Sequence, residues 1–165
     1  MASSETERAA QPSVLDRLVD QDPRVSVDAP GTLAESVRRA KTGLRRDLEW
    51  LLNTRRTAIK VPEGLEELRR SVFWYGLPDL SSLSHDAPGD RQRLLRSVEE
   101  AIAAFEPRLA DVRVSLVEEE TPAHRRELHF VIEGTFLLDP TPLRVSYDTV
   151  MDLSKGECVL RGDRA

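Results

Sequence analysis

The sequence predicts an α+β domain in which N-terminal helices pack on one face of a small antiparallel β-sheet. Three observations predict it. Apolar residues recur at helical spacing as far as Phe105, they recur at alternate positions from Val112 onward, and the alternating segments are joined by short connections. Short connections favour antiparallel neighbours, and helices first with strands afterwards is the order of an α+β fold. A chain of 165 residues and 18.6 kDa fits one such domain.

Met1 to about Ser13 is small, polar and charged, so it reads as a flexible lead. Val14, Leu15 and Leu18 then supply an apolar patch for a turn or two of helix before Pro23. Two readings stand: a docking segment for another protein, or a short helix laid on its own domain. After the loop at Asp28-Ala29-Pro30-Gly31, Thr32 and Glu35 have the capping-box spacing that starts a helix. Leu33, Val37, Ala40, Leu44, Leu48 and Leu51 give that helix one continuous apolar face. Leu65, Leu68 and Val72 mark a short helix leading into Phe73-Trp74-Tyr75-Gly76, where the aromatic residues anchor in the core. Asp90 is the expected N-cap of a helix carrying Leu94, Leu95, Val98, Ala101, Ile102 and Phe105.

The period then falls to two. Val112, Val114 and Leu116 define a first strand, and Leu128, Phe130 and Ile132 open a second that continues through Phe136. Leu143, Val145, Tyr147, Thr149, Met151 and Leu153 define a third, and a last short strand lies around Cys158 to Leu160. The expected division is a segment 1–30 with its short helix, a domain 31–161 and a tail 162–165. Glu118-Glu119-Glu120 faces Arg125-Arg126 across an expected hairpin and reads as strand-edge charge.

Composition narrows the function. Lys and Arg number 24 against 29 Asp and Glu, a balance unlike that of a general nucleic-acid binder. The single Cys158 excludes an internal disulfide. No apolar run approaches the roughly 20 residues that span a bilayer, and the first residues lack the apolar core of a secretory signal, so the expected setting is soluble and cytoplasmic. No catalytic set, metal site or cofactor motif emerges: His85, His124 and His129 are not at ligand spacing, and no pair of carboxylates is nominated for acid catalysis.

Two polar clusters stand out instead. Pro107 disfavours helix at Glu106, so the helix through Phe105 ends there and leaves a carboxylate at the negative end of its dipole. Arg108 compensates it locally, or a partner's cation does. The second cluster is Asn53-Thr54-Arg55-Arg56, at the end of a helix bearing an excess of cations, and its arginine forks suit carboxylate contacts. A solvated face explains the same charges.

Three stretches, Leu51-Leu52-Asn53-Thr54-Arg55-Arg56, Tyr75-Gly76-Leu77-Pro78-Asp79-Leu80 and Phe105-Glu106-Pro107-Arg108-Leu109, together resemble the TssE family of type VI secretion baseplate subunits, relatives of the small wedge protein of contractile-phage baseplates. The resemblance extends over roughly Ser13 to Leu160. It implies a non-catalytic structural subunit on the cytoplasmic side of the inner membrane. Its partners would be the wedge subunits TssF and TssG, indirectly TssK, and the sheath subunits TssB and TssC, with no nucleic acid and no membrane insertion. The Glu106, Pro107 and Arg108 turn would dock on the larger subunits, with Asn53, Thr54, Arg55 and Arg56 on the same or an adjacent surface. Val145, Tyr147, Thr149, Met151 and Val159 would belong to strands that pair with the sheath and start its assembly. A lysozyme-like label on phage relatives keeps a peptidoglycan hydrolase as one alternative, and a cytosolic regulatory adaptor is another.

Overall fold

The computed structural model describes residues 13–19, 24, 32–79, 87–117, 127–139 and 141–163. The expected flexible lead, the acidic run at 118–120 with its arginine partners, and most of the loop before the third helix lie outside them. Helix α1 spans Val14–Leu18, α2 Leu33–Asn53 and α3 Pro88–Phe105. Strands β1 (Leu109–Leu116), β2 (Glu127–Phe136), β3 (Leu143–Asp152) and β4 (Glu157–Asp163) form one antiparallel sheet in the order β1-β2-β3-β4. The α+β architecture is as the sequence predicts.

The capping box forms as spaced: Thr32 Oγ1 accepts from the Glu35 N–H at 3.2 Å, and Glu35 Oε2 accepts from the Thr32 N–H at 2.9 Å. Leu44, Leu48 and Leu51 on α2 meet Leu94, Val98 and Ile102 on α3 over the buried face of the sheet. Alternate side chains supply that face, Leu128, Phe130, Ile132 and Phe136 from β2 with Val145, Tyr147 and Met151 from β3. Burying this many apolar side chains is what holds the helices on the sheet.

Three local expectations are corrected. The segment around Leu65 and Val72 forms two short 3-10 helices, Glu66–Arg70 and Val72–Trp74, and leaves Leu65 and Val72 exposed. Helix α3 starts from Ala87 as N-cap with Pro88 in its first turn, where a missing N–H costs nothing. Asp90 lies inside that turn, paired with Arg93 at 3.8 Å. Strand β4 continues to Asp163, so the expected tail begins within the sheet.

Candidate interaction site at the Glu-Pro-Arg turn

Helix α3 ends where Pro107 requires. The Glu106 N–H still bonds the Ile102 carbonyl at 2.8 Å, and Glu106 then leaves helical geometry at φ −121°. Its side chain turns inward and is 7% exposed. A buried carboxylate needs donors, and Arg108 provides them. Glu106 Oε1 accepts from Arg108 Nε at 2.7 Å and from the Arg108 backbone N–H at 3.2 Å, and Oε2 accepts from Nη2 at 2.5 Å. The pair is a forked, charge-assisted contact within three residues.

Arg108 is shared. Its Nη2 also donates to Asp47 Oδ2 on α2 at 2.6 Å. Asp47 Oδ1 accepts from Arg46 at 3.0 and 2.8 Å, and Arg46 Nη1 reaches Asp16 on α1 at 2.8 Å. The chain of ion pairs therefore runs Glu106, Arg108, Asp47, Arg46, Asp16 and links the turn to both N-terminal helices. Hydrogen bonding to Glu106, ahead of the opposing effect of burial, raises the Arg108 pKa further above the ordinary arginine range. At Asp16 burial opposes the charge, but hydrogen bonds from Ser13 and Arg46 outweigh it and hold the carboxyl below its usual pKa. Asp16 sits over Gly43, where an added Cβ would come 2.8 Å from its Oδ2. Helix α1 thus rests on α2 by its polar side, leaving Val14, Leu15 and Leu18 exposed.

The other two motifs converge on the same corner. Leu77 pairs in parallel with Arg55: its N–H donates to the Thr54 carbonyl at 2.8 Å, and its carbonyl accepts from the Arg56 N–H at 2.8 Å. Gly76 permits this approach, with φ at +100° and space so tight that a Cβ would lie 2.2 Å from Thr54 O. Tyr75 is thereby set against Phe105, ring centroids 5.3 Å apart and edge-on. Burial, with added repulsion from Asp47 and Glu106, raises the Tyr75 pKa.

The side chains of Asn53 to Arg56 reach four different partners. Asn53 reaches β4, with both amide atoms on Cys158. Thr54 closes α2, its hydroxyl donating to the Trp50 carbonyl at 2.6 Å. Arg55 extends over the β3–β4 turn, 3.5 Å from the Lys155 carbonyl. Arg56 stacks on Trp74 at 4.6 Å, where burial lowers its pKa against the opposing charge of Glu100.

The residues expected to meet the sheath divide by strand. Val145, Tyr147, Thr149 and Met151 lie on β3 and all four are buried; β2 pairs all four, and β4 pairs Tyr147, Thr149 and Met151. Their side chains face the core, and from Tyr147 to Asp152 the β4 side of this strand is already paired. Val159 alone of the five lies on an edge strand, and it is 52% exposed.

A shallow groove of about 460 Å³ runs beside the turn, between α3 and β1, with Glu99, Glu100 and Asp111 at its rim. Glu99 accepts from the Val114 N–H at 2.7 Å, and Glu100 and Asp111 are exposed, so none has the apolar surroundings of an acid catalyst. Among the described residues there is no group of three or more potential metal ligands, and no helix is long and apolar enough to cross a membrane.

Residues 38–141 match the model of the baseplate wedge protein gp25 family, a span holding all three converging motifs. The chain belongs to the gp25 baseplate wedge family. That assigns it a structural role in a phage-tail-like baseplate, in contact with other baseplate proteins. The matched span ends before β3, and no curated protein and no solved structure matches the chain. Asp47, Arg46 and Asp16 extend the Glu106–Arg108 pair, and Tyr75 packs beside it on Phe105, contacts that the sequence expectation of Glu106, Pro107, Arg108 and Asn53 to Arg56 does not include. Asp47 carried one signal, being one of two acids, with Glu49, in the basic stretch Arg38 to Arg56.

Proposed function

We propose that the chain is the small wedge subunit of a type VI secretion baseplate, joining TssF and TssG at the Glu106-Pro107-Arg108 corner and connecting the baseplate to a sheath of TssB and TssC. TssK is engaged through the larger wedge subunits, and the assembly stands at the cytoplasmic side of the inner membrane. One observation carries the wedge contact. Arg108 is fixed by Glu106 and Asp47, yet its side chain keeps 29% exposure, so a cation is held rigidly at a corner where three motifs meet. A preorganised cation loses little entropy on meeting a partner's acceptor. Arg55, exposed over the β3–β4 turn, offers a second cationic contact. Sheath pairing falls to an outer strand, with β3 as its support.

Replacing both Glu106 and Arg108 with alanine tests the wedge contact. Asp47 keeps Arg46 as partner, so the pair is removed without stranding that carboxylate. The expected result is a folded chain, by circular dichroism, that no longer co-purifies with TssF and TssG. Unaltered co-purification overturns the proposal.

A further inference from the structure

The sheet has two edges, β1 and β4, and α2 closes the second with side chains in place of a strand. Asn53 Nδ2 donates to the Cys158 carbonyl at 2.8 Å, and Asn53 Oδ1 accepts from the Cys158 N–H at 2.8 Å. One carboxamide therefore makes both bonds that a facing peptide would make in an antiparallel ladder. Glu49, one helical turn earlier, accepts from the Leu160 N–H at 3.2 Å.

The match is geometric. Residues four apart on a helix lie about 6 Å apart along its axis. Outward peptide groups two residues apart on a strand lie about 6.7 Å apart. Two rungs thus fall in register, Asn53 on Cys158 and Glu49 on Leu160. One turn further back α2 carries Arg45, which has no acceptor to offer an N–H. There β4 itself departs from the ladder: Arg161 pairs Asp148 and Asp163 pairs Tyr147, leaving Gly162 as a bulge at φ +42°. The seal covers Cys158 and Leu160.

We infer that the outer edge of β4 is a strand-acceptor surface held closed by Asn53 and Glu49 in the free chain, and that an extended partner strand occupies it by replacing their hydrogen bonds with its own peptide groups. A side-chain amide has the donor and acceptor of a peptide, so the occupant that fits is backbone, and Val159 beside it offers an exposed apolar contact. Closure lowers the apparent affinity for a strand by the fraction of time the edge is open. It also keeps free copies from pairing edge to edge. The inference rests on the proposal that the chain receives sheath strands, and adds where they bind and what they displace.

The test compares the full chain with Glu49→Ala and with Asn53→Ala/Glu49→Ala, the single variant serving if the double does not fold. Amide exchange at Cys158 and Leu160 is expected to quicken about tenfold while Phe130 and Ile132, in the inner strand β2, hold their rates. Binding to purified TssB–TssC is expected to tighten about tenfold in the same variants. Glu49→Gln, which keeps an acceptor for Leu160, is expected to match the parent in both. Unchanged exchange at Leu160 in Glu49→Ala overturns the inference, as does faster exchange with equal or weaker sheath binding in a folded variant. If the parent and every variant fail to bind TssB–TssC, the sheath proposal falls and self-association decides the gate. Dimers of the opened variants where the parent is monomeric then support it, and monomers overturn it.

Discussion

Arg108 bonds Asp47 across 61 residues of chain at 2.6 Å, so the Glu-Pro-Arg turn is fastened to the middle of α2 and is not a free surface loop. A local Glu106–Arg108 pair would leave the corner free to move with the end of α3. The Asp47 bond fixes it against the helix that packs on the other side of the core. Docking geometry and domain stability are therefore coupled at this corner, which decides how substitutions there must be read.

Removing both members of the pair should cost less than the two single losses added together. Arg108→Ala leaves the buried Glu106 carboxylate with the backbone N–H of residue 108 but without its guanidinium donors, and the expected loss is roughly 2–4 kcal/mol, at or below the range for broken buried pairs because solvent reaches Arg108. Glu106→Ala leaves Arg108 its Asp47 contact and should cost less. The double replacement should cost less than the sum of the two by about 1 kcal/mol or more, and urea denaturation of the four chains in a double-mutant cycle measures it.

Gly76→Ala should be among the most destabilising single changes in the chain. The new Cβ would meet a backbone carbonyl that cannot swing aside, and φ at +100° adds strain for any side chain. A loss on the order of 2 kcal/mol or more is expected, with weakened Tyr75 packing seen by near-ultraviolet dichroism. A loss under about 0.5 kcal/mol would mean that the Thr54–Leu77 approach is not maintained in solution.

How far the sequence anticipates these features depends on what each rests on. Helix α2 and strand β3 were legible because their periods, capping box and strict alternation are local properties of consecutive residues. The 3-10 pair was not, because Leu65, Leu68 and Val72 satisfy helical spacing while their own packing leaves two of them in solvent. The end of β4 was missed for a related reason: Arg161, Gly162 and Asp163 carry no apolar signal and join the sheet through backbone bonds to β3. At the site, the helix end and the local compensation of Glu106 followed from Pro107 and the dipole. Asp47 and the Asn53–Cys158 rung are tertiary contacts, separated by 61 and 105 residues, and no spacing rule reaches that far.

Helix α1 should release from α2 as the solution becomes acidic. The Asp16 carboxyl has a folded pKa below its ordinary 3.8, so its contribution is complete above that value and disappears as pH falls through the folded pKa. Loss of the charge removes the Arg46 bond, while the apolar side of α1 holds nothing in place. Limited proteolysis or amide exchange of Val14–Leu18, followed as pH is lowered below 3.8, should show α1 loosening before β2 and β3 open. Gly43→Ala, which crowds Asp16, should produce the same loosening at neutral pH. Simultaneous opening of α1 and the sheet would show that the Asp16 contact does not govern α1.

Cys158 gives an independent readout of β4 at the opposite end of the pH scale. Burial, with the negative charge of Glu49 added to it, pushes the thiol from 9.0 up to about 12. Only the thiolate alkylates readily, so the folded chain should resist iodoacetamide at pH 8 and react when unfolded in urea. The sign for stability follows from the same shift. With the folded pKa above the unfolded one, the contribution is complete below 9.0 and is lost as pH rises from there to about 12, because the unfolded chain ionises first. Urea midpoints should therefore fall over that interval more steeply in the parent than in Cys158→Ala, after correction for the stability difference at pH 7. Equal slopes would mean that the thiol is not enclosed by the β4 edge and the end of α2 as the structure has it.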